Sequence, residues 1–131
     1  MSDSSHNKVA IITGASRGIG RAIALKFAAE GIHCVVAAKT VKHSAKTPGT
    51  IHDTVREVEA AGGQAIAVQT DVRDASQIEK MVRRAVERFG RIDIIVNNAG
   101  AIIWRSVADM PVRRFDLMMA INYRAPFLLA H

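Results

Sequence analysis

Cysteine is almost missing: Cys34 stands alone, so the chain has no disulfide framework and no thiolate cluster for a metal. It follows His33 and precedes Val35 and Val36, the setting of a buried strand thiol and not of a reactive one. The histidines offer no replacement. His6, His33, His43, His52 and His131 are scattered without ligand spacing, and no metal site is expected. Aromatics are scarce as well; one Trp, one Tyr and four Phe make a poor stacking platform for single-stranded nucleic acid. No apolar run approaches the roughly 18–20 residues that cross a bilayer. The polar stretch Met1 to Lys8 lacks the apolar centre of a secretory signal. These absences lead to the expectation of a cytoplasmic protein without a membrane partner.

What is present is ordinary globular material, 49% apolar and 23% charged. At 131 residues it suffices for one domain with a real core. The net charge of +6 favours an anionic partner: a phosphorylated cofactor, nucleic acid or an acidic surface. The basic residues are spread along helical patterns instead of forming one run, so a nucleic-acid tail fits poorly and no nucleic-acid partner is expected.

Four short β-branched runs read as strands: Val9 to Thr13, Cys34 to Ala38, Ala65 to Thr70 and Ile92 to Asn97. Their continuous apolar character suits parallel strands covered on both faces. Helical patterns alternate with them. Arg17 to Glu30 places Ile19, Ile23 and Phe27 at four-residue spacing and stops at Gly31. Thr50 to Ala61 carries Ile51, Val55 and Val58 before Gly62-Gly63. Asp74, with Gln77 in capping-box position, opens a helix with Ile78, Met81, Val82, Ala85 and Phe89 on one face. Asp109 is the expected cap of a last helix with Phe115, Met118, Met119 and Asn122 on one side. Such alternation predicts right-handed βαβ units and hence a Rossmann-like, doubly wound parallel sheet, here of about four strands. Residues 1–7 read as a flexible tail, residues 8–131 as one domain and Thr40 to Gly49 as a mobile surface loop.

The first strand runs into Gly14-Ala15-Ser16-Arg17-Gly18-Ile19-Gly20, which opens the first helix. Unpaired backbone N–H groups at a helix start attract an anion, and glycines let a pyrophosphate approach without a Cβ in the way. The spacing is G-x-x-x-G-x-G and not the commoner G-x-G-x-x-G, so the turn alone is weak evidence. TGASRGIG at Thr13 to Gly20, Asp71 closing the third strand and Asn97-Asn98-Ala99-Gly100 after the fourth together resemble the short-chain dehydrogenase/reductase family, over Lys8 to His131. AAKT at Ala37 to Thr40, the loop ending PGTI and FDLMM resemble one narrower branch of it.

That resemblance implies a dinucleotide-binding domain at 8–131. Gly14, Gly18 and Gly20, with Ala15, Ser16, Arg17 and Ile19 between them, would cradle the cofactor pyrophosphate. Asp71 would accept from the adenine amino group, Asn97 would sit beside the adenosine ribose, and Ala99 and Gly100 would line the cofactor. An NAD-preferring relative would place an acid at the end of the second strand. Here stand Ala38 and then Lys39, with Arg17 in the glycine loop, which implies NADP(H) over NAD(H). The partner implied is a small carbonyl or alcohol, and a full-length form is expected to be a homo-oligomer.

Catalysis in the family resembles a relay through Asn, Ser, Tyr and Lys. Of these only Asn122, in MMAINYRAPF, has its counterpart here. Tyr123 is followed four residues later by Phe127 instead of Lys and sits beside Asn122, too early for the tyrosine acid. The chain alone is therefore expected to be inactive. Pro126 has no N–H for the Asn122 carbonyl, which leaves that oxygen for a relay water if the helix continues; otherwise the proline ends or bends the helix. A non-catalytic NADP(H)-binding module and a basic nucleic-acid binder are the competing readings. Ending soon after the fourth strand, the chain is expected to be marginally folded or to associate through that strand's apolar edge, with Phe115, Met118, Leu128 and Leu129 short of packing partners.

Overall fold

The computed structural model describes residues 7–42, 49–102 and 104–131. Most of the expected N-terminal tail and of the Thr40–Gly49 loop lies outside them. Asn7, the one described residue of the tail, is anchored by its N–H to the Gly31 carbonyl at 3.1 Å.

Strands β1 (Val9–Thr13), β2 (His33–Ala38), β3 (Ala65–Gln69) and β4 (Ile94–Val96) form a parallel sheet in the order β3-β2-β1-β4. Helices α1 (Gly18–Ala29), α2 (Ile51–Ala60) and α3 (Ala75–Phe89) alternate with the strands; α4 (Val112–Met119) and α5 (Ala125–Ala130) follow, joined by a π-helical stretch at Ala120–Arg124. This is the Rossmann-like doubly wound sheet that the sequence predicts. Strand side chains alternate between faces, and the core divides accordingly. Ala10, Ile12, Cys34 and Val36 pack with Ala24 and Ala28 of α1 and with Ile51 and Val58 of α2. Val9, Ile11, Val35 and Ala37 pack on the other face with Ile78, Met81 and Ala85 of α3 and with Ala125 and Leu129 of α5. Each fully buried Val, Ile or Met contributes roughly 1.5–3 kcal/mol, so the two central strands carry most of the core.

Several local expectations change. The buried stripe of α1 is Gly20, Ala24 and Ala28, while Ile19 is 72% exposed and Ile23 and Phe27 are only half-buried. Small residues four apart let the helix lie close against the sheet, and this overrides the larger apolar pattern. At α3 the Asp74 carboxylate accepts from the Ser76 N–H (2.9 Å), but Gln77 completes no capping box: its Oε1 accepts from the Asp71 N–H (2.8 Å). The reciprocal box forms instead at α2, between Thr50 and Asp53. Asp109 does not cap α4. It closes a turn on Ser106, and the helix starts after Pro111, whose fixed φ and missing N–H suit a helix start.

Strand β4 is shorter than the predicted Ile92 to Asn97. Asp93 takes over the start of the ladder, its N–H donating to the Val9 carbonyl and its carboxylate accepting from the Val9 N–H, both at 2.9 Å. The backbone stays helical through Pro126, so the proline neither ends nor breaks the helix. Leu129 is buried against the core, contrary to expectation, whereas Phe115, Met119, Tyr123 and Phe127 are exposed.

Cys34 tests this arrangement. Its thiol lies 3.6 Å from the Ala24 carbonyl and 3.7 Å from that of Ile32, and burial pushes its pKa up to about 12. A chromogenic disulfide at pH 8 should therefore label no thiol in the folded chain and one after denaturation. Stoichiometric labelling of the folded chain would contradict the packing described.

Candidate functional site

The strand order reverses between β1 and β4, and open α/β sheets leave a crevice at such a point beyond the carboxyl ends of the strands. A groove of about 440 Å³ lies there. Its floor is two backbone turns in contact. Gly14, at φ +66°, is so near the turn after β4 that a Cβ on it would stand 3.0 Å from Ala99 Cα and from Asn98 Nδ2. Asn98 Nδ2 donates to the Gly14 carbonyl at 3.1 Å. The Thr13 hydroxyl accepts from the N–H groups of both Asn98 (3.1 Å) and Ala99 (3.0 Å) and donates to the Val96 carbonyl (3.3 Å). Gly20 closes the same junction from below: a Cβ there would lie 2.5 Å from the Gly14 carbonyl oxygen and 2.6 Å from Asn98 Nδ2.

One wall comes from the end of β2, where Ala38, Lys39 and Thr40 line the groove opposite Arg17. Arg17 Nη1 lies 3.5 Å from Thr40 Oγ1, so the two sides meet at this rim. Beside it, at the end of the neighbouring strand β3, stand Thr70, Asp71 and Val72, with the Thr70 N–H donating to the Ala38 carbonyl at 2.9 Å. The Asp71 carboxylate is forked by Arg73, with Nε at 2.9 and 3.1 Å from its two oxygens and Nη2 at 2.6 Å. This guanidinium, helped by the Arg73 N–H and more weakly by Lys39, holds the Asp71 pKa down at about 2. Asp71 is thus an ionised acceptor throughout the neutral range.

Asn122 sits in the π-helical stretch. Its Oδ1 accepts from the Ala101 N–H (3.0 Å) and its Nδ2 donates to the Ala101 carbonyl (2.7 Å), which fastens the segment following Asn97–Gly100. Two residues on, Arg124 Nη1 donates to the Arg73 carbonyl (3.1 Å) and ties this helix to the Asp71 wall.

The structure brings Gly14, Ser16, Arg17, Lys39, Asp71, Ala99 and Gly100 to one groove. Ala15 and Gly20 are buried behind it, and Gly18 and Ile19 lie exposed on the first turn of α1. Asn97 is exposed and does not line the groove; Asn98 does. Sequence reasoning has the Asn97–Gly100 backbone lining the cofactor but misses the roles of the Asn98 side chain, Thr13 and Thr40, and the lining residues Thr70, Val72 and Ile121. The signal was available: Asn98 is the second half of the asparagine pair, and Thr13 is a hydroxyl at the last buried position before a glycine turn. Among the described residues no group of three His, Cys, Asp or Glu could hold a metal, and no helix is long and apolar enough to cross a membrane.

The short chain dehydrogenase family model matches residues 8–131. The chain belongs to the short-chain dehydrogenase/reductase family. Hydroxysteroid dehydrogenase-like protein 2 of Rattus norvegicus is 54% identical over 117 residues, covering 89% of this chain and 22% of its own length. The Homo sapiens protein of that name is 51% identical over the same span, with 28% of its length covered. Among solved structures, a short chain dehydrogenase from Mycobacterium thermoresistibile superposes at TM-score 0.93 with 43% identity, over 97% of this chain and 45% of that one. One from Mycobacterium paratuberculosis bound to NAD superposes at 0.85 with 35% identity, over 95% of this chain and 48% of that one. The chain spans about a quarter of the curated relatives' length and just under half of these solved chains.

In a short-chain dehydrogenase/reductase the glycine turn serves a nicotinamide cofactor, and the groove fits one. Glycine keeps Cβ atoms off the backbone at Gly14 and Gly18, polar side chains line the ends of β2 and β3, and two cations, Arg17 and Lys39, line the groove. The junction predicts the outcome of one substitution. Gly20→Ala drives a methyl group into the Gly14 carbonyl and should cost about 1–3 kcal/mol of stability and abolish cofactor binding. Thermal melting with calorimetry checks this; a Gly20→Ala variant as stable and as competent as the parent would refute the contact.

Proposed function

We propose that this chain is the cofactor-binding part of an NADP(H)-dependent oxidoreductase acting on a small carbonyl or alcohol. The observation that carries the NADP(H) reading is the rim where Arg17, Lys39 and Thr40 meet with Ala38 in place of an acid. Two cations and a hydroxyl suit a 2′-phosphate, and each charge-assisted hydrogen bond contributes roughly 1.5–3 kcal/mol. A carboxylate at position 38 would repel it. Next to this rim, Asp71 accepts from the adenine amino group, with Arg73 orienting the carboxylate. Gly14, Ala15, Ser16, Gly18, Ile19 and Gly20 form the pyrophosphate turn, and Asn98, Ala99 and Gly100, which line the groove where Asn97 does not, follow the ribose towards the nicotinamide. Bound NADP(H) supplies or accepts hydride.

The contribution of Asn122 divides between its two ends. Its amide is engaged by Ala101, so its side chain positions the Gly100–Ala101 backbone. Its main-chain carbonyl, which Pro126 cannot reach with an N–H, is the oxygen that holds a relay water. Tyr123 is 75% exposed and has no lysine four residues later, so it takes no part in proton transfer. The same reading makes the full-length enzyme a cytoplasmic homo-oligomer.

Two measurements test it. Calorimetry should show NADPH binding at least about tenfold tighter than NADH, and Ala38→Asp with Lys39→Ala should invert the order. Equal affinities in the unsubstituted protein would defeat the assignment. In steady-state assays, the 131-residue chain should oxidise no NADPH above background with ketones or aldehydes. Turnover that follows the purified protein and disappears in Asn122→Ala would show the chain to be catalytic by itself.

A further inference from the structure

The start of α2 packs against the outer side of the glycine turn, where the functional reading gives it no part. Thr54 is fully buried there, and its hydroxyl donates to the Ala15 carbonyl at 2.7 Å. Gly49, at φ +91°, lies so close that a Cβ on it would stand 2.7 Å from the Ser16 carbonyl oxygen. Both residues belong to a well-fixed segment. The Ile51 N–H donates to the Thr40 carbonyl (3.1 Å), and Thr50 and Asp53 close the capping box between them.

A trans peptide is planar, so its C=O and N–H point in opposite directions. The Ala15 carbonyl is turned to Thr54, which sends the Ser16 N–H away from α2. The Ser16 carbonyl faces Gly49, which sends the Arg17 N–H away as well. Two successive donors are thereby directed off the α2 side of a turn whose Ser16 and Arg17 line the groove. Neither Thr54 nor Gly49 lines that groove, so each can influence a ligand only through the turn.

We propose that Thr54 and Gly49 are positioning residues that fix the Ala15–Ser16 and Ser16–Arg17 peptide planes, aiming two backbone N–H groups at a dinucleotide pyrophosphate. This rests on the cofactor reading above and adds to it a device outside the glycine turn. Successive N–H groups held to one side form an anion-binding concavity, and its strength depends on the orientation of those peptides.

Two probes separate positioning from general support. ADP-ribose contains the pyrophosphate; adenosine 2′-monophosphate contains adenine, ribose and a phosphate but no pyrophosphate. In calorimetry on the 131-residue chain, Thr54→Val should weaken ADP-ribose roughly tenfold and leave adenosine 2′-monophosphate unchanged, while Thr54→Ser restores both. Gly49→Ala approaches the turn at the other contact and should give the same selective loss; it carries the test if Thr54→Val does not fold. Folded variants with unchanged ADP-ribose affinity, equal weakening of both probes, or a serine variant as weak as the valine variant would overturn the proposal. If the unsubstituted chain binds neither probe, the dinucleotide reading itself falls, and this inference with it.

Discussion

Backbone meets backbone where β1 and β4 end, and the whole site depends on that approach. Gly14 and Gly20 leave no room for a Cβ, and Asn98 donates across the gap. The Thr13 hydroxyl uses both its acceptor capacity and its proton there. Two turns far apart in sequence thus become one rigid floor. Lys39 and Asp71 stand next to each other along the rim because the strands they follow are neighbours, held in register with β1 directly for β2 and through it for β3.

The sheet achieves this with little material. Every residue of β1 is buried, and its alternation feeds two separate cores, one under α1 and α2 and the other under α3 and α5. On the first face α1 is set by small residues, and this closeness brings its start up to the strand ends. Electrostatics then acts on a prepared surface. Arg73 forks the Asp71 carboxylate and lowers its pKa, and Arg17 and Lys39 line the same groove at a rim without a carboxylate at position 38.

Sequence periodicity made the strands legible because parallel strands buried on both faces are nearly continuous in apolar character. It was least reliable where small residues or single polar groups decide. The α1 stripe of Gly20, Ala24 and Ala28 has no amphipathic signature, so Ile19 drew attention that it did not merit. Local chemistry predicts the Asp74 cap, which forms, but not the bond of Gln77 to Asp71 nor the start of α4 after Pro111 instead of at Asp109. The glycine turn, Lys39 and Asp71 could be found from motif and spacing. Asn98 and Thr13 sit in the same motifs, but their partners, like that of Thr54, are not legible there, because they are carbonyls and N–H groups of distant segments. A one-dimensional pattern does not show which backbone atoms will need a partner.

The π-helical stretch at Ala120–Arg124 bears on how such a chain can change in evolution. A π turn is one residue added to an α-helix, and removing it would rotate everything beyond it by about 100°. Asn122 would leave Ala101, and Arg124 would leave the Arg73 carbonyl, unless Ala125 and Leu129 gave up the core. An exposed helix ordinarily accepts a gained or lost residue at its ends. Here the length of its middle is under the same constraint as a buried contact.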